Sequence, residues 1–157
     1  MSDSHFPEAV RVREPETLSL PKYYYGFDEM KQGELDFFRT VASSGAGGTV
    51  YMCNSIPMEA LTLDVAYMRQ WMQSIAMMIS KGADIHMIHD VDRPPDEMML
   101  GLMSWIPLYM TGKVTSYYLP DASNRIYCHT DYVSDTAVLS GECIRGYHNE
   151  GKYYLTQ

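Results

Sequence analysis

Cations are scarce in this chain. Lys and Arg total 12 against 20 Asp and Glu, a formal net charge of −8. No basic run occurs anywhere, and a nucleic-acid surface needs clustered cations to hold phosphates. Direct contact with nucleic acid is therefore not expected. Cysteine is also rare. Cys53, Cys128 and Cys143 offer no CxxC spacing, and an odd number in apolar surroundings reads as reduced thiols of a cytoplasmic protein. They read as core residues and not as nucleophiles, because none has an evidently electropositive setting. No stretch reaches eighteen consecutive apolar residues, so no membrane span is expected. The first twenty residues are polar and charged, unlike a secretory leader. The phosphate-cradling patterns GxGxxG and GxxxxGKS/T are missing, as is GxSxG. "SSGAGGTV" is rich in glycine, but it precedes a strand instead of leading from a strand into a helix, and it reads as a loop. No cofactor and no metal site is expected.

The 157 residues suffice for one domain with a sizeable core. Their unusual feature is 13 methionines and 13 tyrosines. Methionine fills irregular cores and adaptable pockets, so a soft core is the plain reading and an apolar ligand pocket the sharper one.

Residues 1–21 show no periodicity, and "EPETLSLPK" has a proline near each end. They read as a linker or tail, with the domain proper spanning 22–157. "YGFDEMKQGELDFFRTVA" places Met30, Phe38 and Val41 near helical spacing, with Asp28 or a near neighbour as the cap. "TVYMCNS" reads as a strand over Thr49–Cys53. Pro57 then opens a helix whose inward face would be Leu61, Val65, Met68, Met72, Ile75 and Ile79, ending at Gly82. A second strand covers Ile85–Val91. "RPPDEM" suits a first helical turn, and Met99, Leu102, Met103, Ile106 and Met110 carry the helix on past Pro107. "KVTSYYL" is a third strand, and "RIYCHTDYVSDTAVLSGECIRG" is a strand, a polar turn and another strand. Strand–helix–strand crossovers imply parallel pairing with helices on both faces. The expected fold is α/β: a single three-layer domain with a mixed, mainly parallel sheet flanked by helices.

Histidines carry the remaining signal. His86 and His89 lie three apart on a strand, hence on opposite faces, and cannot share a metal directly. His129 and Asp131 lie two apart, hence on one face. They are expected in a polar crevice, on a strand beside the one holding His89. Open α/β sheets bind ligands beyond the C-terminal strand ends. Those ends would bring Asn54, Ser55, His89 and Asp90 together, with His129, Asp131 and Glu142 added from the final hairpin, as a candidate ligand-binding set. The plain alternative is that these groups satisfy one another and water.

The succession "TVYMCNS", "SKGADIHMIHD", "GKVTSYYL" and "CHTDYVSDTAVLSGECI" resembles one half of the phospholipase D-like fold, over about Thr49 to Ile144. The resemblance implies an HxKxxxxD motif on the hairpin, with histidine attacking a phosphodiester. His129 matches the histidine. Asp131 stands where the motif has lysine, Thr136 where it has aspartate (Asp135 lies one residue earlier), and Ser140-Gly141 inverts the family's glycine–serine pair. A carboxylate in place of a phosphate-binding cation would repel the substrate by roughly 4 kcal/mol at about 4 Å and an effective dielectric near 20. That is on the order of a thousandfold in rate. Together with the tyrosine-rich start, the chain also looks like the C-terminal domain of some bacterial helix-turn-helix regulators. The resemblance thus implies a non-catalytic ligand-sensing or dimerisation domain, the effector part of a transcription regulator. The alternatives are a dimeric phosphodiesterase using His129 and a scaffold that binds nothing small. A homodimer is expected, because relatives pair two histidine strands and because "KYYLTQ" would be an exposed edge in a monomer.

Overall fold

The computed structural model describes residues 18–45, 47–118 and 126–157; the expected tail falls almost wholly outside them. The elements run β1 (Lys22–Tyr25), α1 (Gly26–Ser43), β2 (Thr49–Asn54), α2 (Met58–Thr62), α3 (Val65–Ser80), β3 (Asp84–His89), α4 (Pro95–Tyr109), β4 (Val114–Tyr118), β5 (Tyr127–Val133), β6 (Val138–Ile144), a 3-10 turn (His148–Glu150) and β7 (Lys152–Thr156). None of these helices is long and apolar enough to cross a membrane.

The fold is α/β, with one seven-stranded mixed sheet in the order β1-β7-β6-β5-β2-β3-β4. The expectation of a mainly parallel sheet is overturned. Only β2–β3 and β3–β4 pair in parallel, and the other four pairings are antiparallel. The cause is the chain's second half, where connections too short for a crossover helix force hairpins. The "KYYLTQ" strand is not an edge either. β7 lies between β1 and β6, and the unforeseen β1 caps it. The sheet's edges are β1 and β4.

Among the described residues the domain has two layers, not three. Val50 and Met52 of β2, Ile85 and Met87 of β3, Cys128 and Tyr132 of β5, Leu139 of β6 and Leu155 of β7 are buried beneath the helices. Their alternates on the other face, among them Tyr51, His86, Asp131, Glu142 and Tyr154, are exposed or half-buried. Strand alternation assigns each to its face. Both parallel crossovers send their helices to the same side, as a common handedness requires.

One helix shifts its buried face by part of a turn from the one its periodicity suggests, and another presents a different face. The helix after Pro57 breaks at Leu63-Asp64, where the Asp64 carboxylate accepts the Tyr67 N–H at 2.9 Å and starts α3. The buried stripe of α3 is then centred on Tyr67, Trp71, Ile75 and Met78; of the expected face Leu61 and Ile75 are buried, Met68, Met72 and Ile79 pack at the margin of the core, and Val65 alone is exposed. In α4, Trp105 and Leu108 point inward, and the expected inward residues Met99, Leu102, Met103, Ile106 and Met110 are all exposed. α1 begins two residues before Asp28, and its cap comes from Glu29, whose carboxylate accepts the Tyr25 N–H at 2.7 Å.

Candidate functional site

Parallel strands β2, β3 and β4 end together, and α2 and α4 roof the space beyond them. A cleft of about 220 Å³ lies there, lined by Asn54, Met58, Met87, His89, Asp90, Arg93, Glu97, Leu102, Trp105 and Tyr117 among others. This is the crevice that strand order creates where β2 changes from a parallel neighbour to an antiparallel one. Met58, Met87, Leu102 and Trp105 make its walls apolar, and a few polar groups converge on it, the usual constitution of a small-molecule site.

Each polar group is held from behind. His89 falls on the helix-covered face, where Nε2 meets the Tyr109 hydroxyl at 2.6 Å and its ring packs edge-on against Trp105. Burial, and then the Arg93 guanidinium, lower its pKa and favour the neutral imidazole, whose Nε2 shares a hydrogen bond with the phenol. Arg93 donates to the backbone carbonyls of Ile56 and Asn54, at 2.7 Å each, and reaches the Glu97 carboxylate at 3.4 Å. It therefore pins the loop after β2 more than it offers a free cation. Glu97 answers the Arg93 guanidinium at 3.4 Å and accepts the Met58 N–H at 3.3 Å, which leaves Asp90 as the cleft's less committed charge.

Gly101 faces this cleft from the middle of α4. A glycine inside a helix costs about 1 kcal/mol relative to alanine. A Cβ there would meet nothing within 4 Å but the Met58 side chain, at 3.8 and 3.9 Å. The missing side chain keeps the floor of the cleft open.

Behind the cleft lies a carboxylate that sequence reasoning passed over. Glu34 of α1 is fully buried. Its Oε2 accepts from the Tyr67 hydroxyl and from Trp71 Nε1 at 3.0 Å. Its Oε1 accepts from Asn54 Nδ2 at 2.8 Å and the Tyr132 hydroxyl at 3.1 Å. Burial pushes its pKa up to about 7 against the pull of those four donors. Its position was readable: Glu34 lies four residues after Met30 and four before Phe38, in the middle of an apolar helical stripe. A smaller void of about 40 Å³, lined by Glu34, Asn54, Met58, Trp71 and Trp105, adjoins the cleft through shared walls.

Asn54, His89 and Asp90 of the expected ligand set come together here. The rest do not. Ser55 turns to the hairpin, where its Oγ accepts the His129 N–H at 2.8 Å. His129, Asp131 and Glu142 stand on the helix-free face of the sheet, and β5 is separated from the His89 strand by β2. His129 shares its face with Asp131, but its carboxylate neighbour is Glu142 across the strand pair, at 3.7 Å. Asp131 instead accepts from Ser140 Oγ at 2.5 Å. The expected crevice uniting His129 with His89 does not form, because the histidines sit on opposite faces of non-adjacent strands. Cys53 neighbours Asp131, and burial followed by the Asp131 and Asp90 charges pushes its thiol pKa up, away from nucleophilic use.

No family model matches the chain, and no curated protein is significantly similar to it.

Proposed function

We propose that this domain is a ligand-sensing module that takes a compact, largely apolar molecule, neutral or cationic, into the cleft beyond β2, β3 and β4. The carrying observation is the cleft itself: apolar walls, a helix glycine that leaves it open, a His89 held towards its neutral form, the Asp90 carboxylate, and an Arg93 guanidinium already engaged on backbone carbonyls and on Glu97. An anion would meet more repulsion than attraction there. Trp105 touches the cleft and stacks edge-on with Trp71, which in turn holds Glu34, so occupancy has a direct route into the core.

In finer terms, the reading is a degenerate phospholipase D-like half-fold serving as the effector part of a bacterial transcription regulator and working without catalysis. The order of strands from β2 to β6 and the histidine on β5 support the kinship. Against phosphodiester chemistry stands the company of His129: Asp131 and Glu142 on its own face, where a phosphate needs cations.

Ligand-observed NMR with a panel of small aromatic amines, phenols and benzoates tests the proposal. Amines or phenols should bind, benzoates should not, and Gly101→Leu should abolish binding by filling the cleft. Absence of any binder, or binding undiminished in Gly101→Leu, would refute the sensor reading. A chromogenic phosphodiester assayed alongside should show no turnover. Hydrolysis that vanishes in His129→Ala would replace the sensor with the enzyme.

A further inference from the structure

Cys128 and Cys143 are direct partners across β5 and β6, both buried on the helix-covered face, and neither is in a disulfide. His148 opens the 3-10 turn beyond β6 and faces the same spot. The two sulfurs and a ring nitrogen of His148 all lie within 4.8 Å of one another. Nε2 of His148 is buried with no hydrogen-bond partner among the described residues, and so is the Tyr153 hydroxyl. Tyr153 lies beside the Cys143 sulfur. Two buried thiols and an imidazole converge beside the Tyr153 phenol, and the buried Nε2 of that imidazole has no hydrogen-bond partner among the described residues. A buried polar atom without a partner costs about 1–3 kcal/mol, so such convergence calls for a reason.

We propose that Cys128, Cys143 and His148 bind one Zn²⁺ as two thiolates and a neutral imidazole. The donor set is soft, as zinc and copper(I) prefer. Charge decides between those two. Two thiolates cancel a divalent ion, whereas copper(I) would leave a net negative charge in a buried site, which is expensive. The step is a ligand exchange without redox chemistry: two S–H bonds give up their protons to solvent and two Zn–S bonds form. Zinc–sulfur bonds of about 2.3 Å and a zinc–nitrogen bond of about 2.0 Å separate tetrahedral donors by about 3.5–3.8 Å. From the 4.8 Å limit the side chains need to close by roughly 1.0–1.3 Å at most, within the reach of small rotamer adjustments.

The scaffold suits a staple. The two cysteines are fixed by the β5–β6 ladder. The histidine turn is tied to the start of α1, where the Gly26 N–H donates to the Gly151 carbonyl at 2.8 Å and the Phe27 ring packs 6.2 Å from the imidazole. Zinc would clamp the hairpin, the turn and the first helix into one unit, and would stabilise the fold by mass action. The sequence pattern concealed the set. The cysteines are fifteen residues apart, and only the strand register places them opposite each other.

The test uses the full chain, reduced with a phosphine and freed of metal with EDTA. Zinc titrated against a chromophoric chelator should bind at one equivalent and raise the melting temperature. Cobalt(II) should give a thiolate-to-cobalt charge-transfer band with tetrahedral d–d bands. Loss of a supporting partner of a ligand commonly weakens metal binding ten- to a hundredfold, so His148→Ala should weaken zinc by about a hundredfold or more. Cys143→Ser should weaken the cobalt charge-transfer band markedly, because only the Cys128 thiolate remains. If that variant does not fold, His148→Ala, in a half-buried turn, decides alone. No zinc bound in competition with the chelator, uptake unchanged in His148→Ala, or uptake of copper(I) but not zinc would each overturn the assignment.

Discussion

Two acidic residues two positions apart on α1 meet opposite fates. Asp36 is buried against cations: Lys22 Nζ donates to it at 3.0 Å and Arg39 Nη1 at 2.8 Å, with Tyr24 and Gln32 completing the shell. Burial raises its pKa, but the bonds from Lys22, Gln32 and Tyr24 outweigh that and leave it lowered. Glu34 has only neutral donors, and its pKa rises to about 7 from 4.5. The consequence for stability follows from linkage. Below about pH 4.5 Glu34 is protonated in both folded and unfolded chains and exerts no penalty. Between about 4.5 and 7 the folded chain binds more protons than the unfolded one, so stability falls as pH rises. The fall amounts to about 3 kcal/mol and is complete above pH 7. Glu34→Gln should flatten that part of the profile in urea unfolding measured from pH 4 to 8. It should also be less stable than the parent at pH 4.5, because an amide cannot accept from Trp71 and Asn54 together on both its ends. A variant profile as steep as the parent's would remove Glu34 as the cause.

At the scale of the element, β6 shows how one residue fixes a contact between strands. A side chain at Gly141 would collide with the Lys152 carbonyl and the Tyr153 ring, which crosses directly over it. Gly141→Ala should destabilise the protein by about 1–3 kcal/mol or more, as overpacking does. The urea midpoint should drop at constant slope. An unchanged midpoint would mean that the ring moves freely aside. The sequence announced most elements. Gly and Pro punctuate them clearly, and β2, β3, β4 and the β5–β6 hairpin stand within a few residues of their expected places. Which face each helix buries was less legible. α4 is apolar nearly all round, with Met99, Leu100, Leu102, Met103 and Ile106 competing with Trp105 and Leu108, so periodicity cannot choose. In α3 the choice belongs to Tyr67 and Trp71, whose polar tips are recruited by Glu34 from another helix. That is a tertiary fact. The candidate site split for a similar reason. Asn54, His89 and Asp90 follow from the parallel strand ends, which local pattern reveals. The placement of His129 depends on β5 joining β2 antiparallel on its far side, which local pattern does not reveal.

At the scale of the whole molecule, the two layers leave one sheet face without helices among the described residues. Tyr23, Tyr25, Tyr51, Tyr117, Tyr127 and Tyr154 stand exposed on it, with Val133 and Ile144. Six inter-strand spacings of about 4.8 Å and strands about 20 Å long give roughly 600 Å² in projection. That is of the order of one partner's share in a standard interface. Tyrosine suits such a surface, because it combines large contact area with a polar tip. The charged groups on the same face are of both signs, Asp131 and Glu142 with Lys152. A two-fold axis can set such a patch against its own copy, acid to base. We therefore place the expected homodimer on this face and not on β7, whose two neighbours leave it no free edge. Light scattering at micromolar concentration should return twice the 17.9 kDa chain mass. Tyr51→Glu, at the centre of the face, should return the single-chain mass with an unchanged circular dichroism spectrum. Met103→Glu, on the outer side of α4, should leave the dimer intact. A monomeric parent would refute the dimer. A dimer that survives Tyr51→Glu but dissociates in Met103→Glu would move the interface from the sheet to the exposed methionine side of α4.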